Sequence, residues 1–241
     1  MSWAEVTETL RPRKNSADGP LPPLLLTLTV VTGLVDATSY LKLGHVFVAN
    51  MTGNVVFLGF GIAGAGGISV WASLTAVGSF LVGGVAGGRI GSRWSSDRGR
   101  HLAATTGSEL LLVVAALAVA AFSTHQIGTA GRYAVIVLLA VAMGIQNAAA
   151  RKLAVADLTT TVLTMTLTGL AADSRLAGGR GSKLGRRALS VAAMLLGALI
   201  GGLLVLRVDN PAPLAVATGL LSTVSLIAYR ASRSGPAWAA A

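Results

Sequence analysis

The chain of 241 residues is 53% hydrophobic and 12% charged, with a mean hydropathy of +0.71, whereas soluble domains carry about 25% charged residues; this excludes an ordinary soluble fold and indicates a polytopic membrane protein. The net charge of +10 comes from basic residues set between apolar runs, a pattern of membrane topology rather than of nucleic-acid binding. There is no Cys, and His45, His101 and His125 are scattered, so thiolate chemistry is excluded and no metal or other cofactor is expected.

Residues 1–23 mix acids with Arg11, Arg13 and Lys14 and end in Pro20, Pro22 and Pro23. This is not the order of a secretory signal, and the stretch is expected to be a disordered cytoplasmic tail. Eight apolar segments follow, at 24–43, 46–64, 70–92, 103–123, 133–150, 158–172, 188–206 and 213–229. A span needs about 20 residues. The second segment reaches that only through Gly53, Gly59, Gly61 and Gly64, and the sixth is short and rich in Thr; both are expected to be broken or re-entrant.

Basic residues near helix ends are retained in the cytoplasm. Eight crossings would put eight of the nineteen Lys and Arg outside. Six crossings, with segments one and two making one net crossing and five and six another, keep fourteen inside, in the N-terminal tail, at 89–100, 175–187 and 230–233. Six crossings with both termini cytoplasmic are therefore expected, with a membrane domain over 24–230 and a cytoplasmic tail over 231–241. The glycine-rich run 178–185 lacks both a preceding strand and the Walker spacing, so it reads as a basic loop and not as a phosphate cradle. Gly83, Gly87 and Gly91 recur every four residues in segment three. Such a row lets helix backbones approach closely, either within the chain or as a homodimer seam.

Two stretches concentrate polar residues. The first runs from Gly33 through Asp36 to Asn50, Thr52 and Asn54; the second carries Gln146 and Asn147, then Thr159 to Thr168. A shift of about 110 residues lays Asp36 on Asn147 and Thr52 on Thr164, with segments three and four falling on seven and eight. Repeats over 24–123 and 132–230, each with an odd number of crossings, must run in opposite senses. The expected fold is thus an all-α membrane bundle of two inverted repeats, each with one broken helix.

Gly33-Leu-Val-Asp36-Ala-Thr-Ser-Tyr40, Val46 to Asn54, and Gly144-Ile-Gln-Asn147-Ala with Thr160 to Thr168 together resemble the YoaK family of bacterial multi-pass membrane proteins of unknown function, over about Leu24 to Arg230. The resemblance implies a bacterial inner-membrane location and about six helices; it implies no substrate or reaction. Met165 stands where the family pattern leads one to expect Gly.

Asp36 lies about 18 Å into a core about 30 Å thick if its helix starts at Leu24. It is a candidate proton carrier, a hydrogen-bond partner of the second repeat, or part of a break reached by water. Gly53 would permit a break that gathers Asn50, Thr52 and Asn54. The Thr run either lines a polar path or bonds back to its own helix. Glu109, opening a long apolar run after Thr105, Thr106 and Ser108, reads as an acid at a helix N-terminus. Inverted-repeat transporters bind substrate at the midplane near broken helices. Asp36, Asn50, Thr52, Asn54, Gln146, Asn147, Thr164 and Thr166 are accordingly the expected site for a small solute. The competing reading is an oligomeric or lipid-binding scaffold. An enzyme is not expected, because no nucleophile with a base, metal triad or paired carboxylates appears.

Overall fold

The computed structural model describes residues 3–12, 16–122, 128–161, 163–179, 184–208, 211–233 and 238. Among them every regular element is helical: α1 (Trp3–Leu10), α2 (Leu21–Lys42), α3 (Met51–Ile62), α4 (Val70–Arg93), α5 (Arg98–Phe122), α6 (Thr129–Leu153), α7 (Leu163–Ala172), a 3₁₀ turn (Arg175–Ala177), α8 (Leu184–Arg207) and α9 (Ala212–Arg233). The expectations for Arg13, Lys14, His125, Arg180 and Lys183, and for the 231–241 tail apart from 231–233 and Trp238, lie outside the described residues.

Six helices, α2, α4, α5, α6, α8 and α9, are long and apolar enough to cross a membrane. At 1.5 Å per residue, the 12-residue α3 and the 10-residue α7 reach only about half that distance. The chain supplies evident starts. Pro22 and Pro23 open α2, where missing N–H groups cost nothing. Asn50 and Ser69 cap α3 and α4 by accepting from Gly53 N at 3.2 Å and Ala72 N at 3.2 Å. Outward faces are aliphatic, as at Leu81, Val82, Leu195 and Leu199, while α2 and α6 are the most enclosed.

α2 packs on α8 and α6 on α4; α5 packs on α9; α5 also meets α6, and α9 meets α2; α3 lies on α4 and α7 on α8. Exchanging α2–α5 with α6–α9 maps this set of contacts onto itself. Glycines set the two tightest seams. A Cβ on Gly197 would sit 2.1 Å from Val30 O, and one on Gly83 2.1 Å from Val141 O; one on Gly33 would meet Met194 O at 2.5 Å, and one on Gly144 Phe80 O at 2.2 Å. Backbones this close gain dispersion contacts that lipid cannot supply. The contacts climb in step, Val30 to Leu34 against Gly197 to Gly201 and Val141 to Ile145 against Gly83 to Gly87, so each pair is parallel. In α5 and α9, Gly99 faces Ser232 and Gly107 faces Ser225, so that pair is antiparallel.

Four expectations change. The Gly83 and Gly87 face is covered by α6 of the same chain, and Gly91 abuts His101 and Lys152, which leaves that row no free face for a second copy. Residues 1–23 are not wholly without structure: α1 lies on α8 and α2, with Glu5 accepting from Gly185 N at 3.3 Å and Arg186 N at 3.5 Å at the start of α8, a favourable place for an acid. The break in the first half falls at residues 43–50, before α3, not at Gly53, which is helical. Finally, α5 starts at Arg98, so Glu109 lies mid-helix and is fully buried.

Candidate functional site

Each short helix follows a return loop that left-handed residues make possible. Gly44 has φ 91° and His45 φ 54° after α2; Ala154, Asp157 and Thr160 have φ of 50°, 64° and 63° after α6. The two loops are locked by different chemistry. In the first, Tyr40 stacks on Phe47 at 5.0 Å and Phe47 on Phe57 at 5.7 Å, with His45 edge-on to Tyr40. In the second, the Arg187 guanidinium bonds Asp157 at 2.8 Å, Asp173 at 2.6 Å and Gly169 O at 2.7 Å, tying the loop and α7 to α8.

Asp36 anchors the first loop. Its Oδ1 accepts from Val48 N at 3.0 Å and Ala49 N at 2.8 Å, the amides that lead into α3. Asn147, its counterpart in sequence, accepts from the Thr161 hydroxyl and donates to Met143 O at 2.9 Å. Among the described residues Asp36 is therefore bonded within its own half, not to the second. Asn54 is buried and holds both polar groups of Phe47, accepting from its N–H at 2.9 Å and donating to its carbonyl at 2.6 Å. Gln146 donates to Thr32 at 2.8 Å, a cross-link between α2 and α6.

A cavity of about 340 Å³ is lined by Asp36, Tyr40 and Asn50 from the first half and by Thr161, Thr164 and Ala198 from the second. A neighbouring cavity of about 470 Å³ shares Asn50, Thr161 and Thr164 and adds Thr52 and Asn147; the first turns of α3 and α7 thus face the same space. A third, an open groove of about 1010 Å³ whose wall includes the outward-facing Leu81, continues from Phe80 and Asn147 to Lys152 near the end of α6 and Asp157 in the loop after it. The three run in succession from Leu41, near the end of α2, to Lys152, near the end of α6, and have the size of small-ligand sites.

Of the eight expected site residues, Asp36, Asn50, Thr52, Asn147 and Thr164 line these cavities. Asn54 and Gln146 are engaged in holding the frame, and Thr166 is buried on α7 without lining any of the three. Thr168 bonds back to Thr164 O at 3.0 Å. Thr161 lines two of the cavities and is absent from the expected eight. The shift that pairs Asp36 with Asn147 also pairs Asn50 with Thr161, which is the signal that finds it. Among the described residues no group of three His, Asp or Glu side chains could hold a metal.

A family model described as "Protein of unknown function (DUF1275)" matches residues 24–227. The chain is 39% identical over 156 residues to "UPF0700 transmembrane protein YoaK" of Bacillus subtilis (strain 168), a match covering 62% of this chain and 65% of that protein, slightly under two thirds of the relative's length. No solved structure matches.

Proposed function

Since the chain belongs to the DUF1275 family and is an integral membrane protein with six apolar helices, we propose that it carries a small polar solute across the bacterial inner membrane through a site between two inverted halves. The observation that carries this reading is that α3 and α7, each too short to span, begin at one cavity walled by Asp36 and Asn50 from one half and Thr161 and Thr164 from the other. Irregular backbone at membrane depth is tolerated where it lines a cavity, and substrate sites of inverted-repeat transporters lie at such broken helices. The inversion is supported by the parallel pairing of α2 with α8 and α4 with α6 and by the antiparallel pairing of α5 with α9. With the short links 94–97 and 208–211, these give opposite senses to α2 and α6, α4 and α8, and α5 and α9. The charge distribution supports cytoplasmic termini.

Flux measurements on proteoliposomes with a panel of small polar solutes (urea, glycerol, formate, ammonium) test the proposal. At least one solute should cross faster than in protein-free liposomes, and Thr164→Leu, which projects bulk into the cavity, should remove that flux while the protein stays monodisperse. Flux unaffected by Thr164→Leu would exclude this cavity as the path.

A further inference from the structure

Glu109 is 0% exposed, twelve residues into the unbroken helix α5, and neither carboxyl oxygen has a hydrogen-bond partner among the described residues. It shares the buried face of α5 with His101 and Thr105 at four-residue steps. His101 is 2% exposed and abuts Gly91, and the Thr105 hydroxyl donates to His101 O at 2.8 Å. No counter-charge comes from the helices packed on α5. The buried residues of α4, α6 and α9 include no charged or titratable side chain, and Gln146 of α6 is the largest polar one. Arg89 and Arg93 of α4, Arg132, Tyr133, Arg151 and Lys152 of α6, and Tyr229, Arg230 and Arg233 of α9 lie toward the helix ends. Arg98 and Arg100 open α5 itself.

An ionised carboxylate with no partner in a bilayer interior is costly, whereas one that has bound a cation is neutral. A metal cation such as Na⁺ takes several oxygens, usually with carbonyls freed by an unwound helix. α5 is continuous through Glu109, with no unwound turn to free carbonyls there, and among the described residues the carboxyl has no hydrogen-bond partner. A proton needs only the one carboxyl. We propose that Glu109 is a proton-binding site within the membrane domain, separate from the cavities at α3 and α7, none of which it lines.

The inference goes beyond the transport reading and is tested without any solute. Dicyclohexylcarbodiimide reacts with protonated carboxyls in apolar surroundings, and mass spectrometry of the purified full chain locates the adduct. The expected result is an adduct on the Glu109 peptide that is absent in Glu109→Gln. It should fall about tenfold for each pH unit above its midpoint, as for a single titrating site, and should be unaffected by Na⁺. Glu109→Asp serves as a second variant and should retain pH-dependent labelling. An unlabelled Glu109 peptide at every pH, labelling independent of pH, or protection by Na⁺ would each overturn the proposal.

Discussion

Asp36→Ala should release the loop that delivers the chain to α3. The carboxylate accepts two amide hydrogen bonds, at 3.0 Å and 2.8 Å, and Val48 and Ala49 are 0% and 4% exposed, so their N–H groups find no ready substitute. Leaving a buried N–H unsatisfied costs about 1–3 kcal/mol, so removing the acceptor of both costs about 2–6 kcal/mol. Asp36→Asn keeps a carbonyl oxygen able to accept, and should cost less than half as much. Hydrogen exchange read at Val48 and Ala49 is the direct assay, because about 3 kcal/mol corresponds to roughly a hundredfold faster opening. Exchange at those amides that is unchanged in Asp36→Ala, with an unchanged melting temperature, would refute the assignment of Asp36 as the anchor.

Gly83→Ala and Gly197→Ala should destabilise by similar amounts, roughly 1–3 kcal/mol for an overpacked seam, because each new Cβ would meet a carbonyl oxygen at 2.1 Å; Gly84→Ala, with open space around it, is the control in thermal unfolding. Arg187→Leu should cost roughly 1–3 kcal/mol by unpairing Asp157 and Asp173 and freeing α7 from α8, with Asp157→Asn milder; melting in detergent measures both. A Cys introduced at Ser96, in the basic α4–α5 turn, should label only from the cytoplasmic side of intact cells, and one at Ala65, between α3 and α4, only from outside.

The six long apolar helices were legible because each run is long enough to span and carries few charged residues, and the two short helices because glycine or threonine shortens the run. The offset that lays Asp36 on Asn147 was legible because two motifs repeat it, and the two residues line neighbouring cavities where α3 and α7 begin. Hydropathy could not show that α5 begins at Arg98, since its first turn carries Arg98, Arg100 and His101; this is why Glu109 read as a helix-start acid when it is a mid-helix one. The partners of Asp36, Asn54 and Gln146 were equally hidden. Polar residues at one depth can meet a solute or one another, and only the path of the 43–50 loop brings Val48 and Phe47 back to Asp36 and Asn54. The docking of Glu5 on Gly185 joins segments too distant in sequence for any local pattern to reveal.

The most direct measurement exploits the absence of native Cys. Thr164→Cys puts one thiol in the wall shared by the two cavities where α3 and α7 begin. If the solute path runs between the halves, a membrane-impermeant thiol reagent should modify that thiol in proteoliposomes, solute should slow the reaction, and modification should abolish flux. A thiol that never reacts, or full flux after complete modification, would contradict the account.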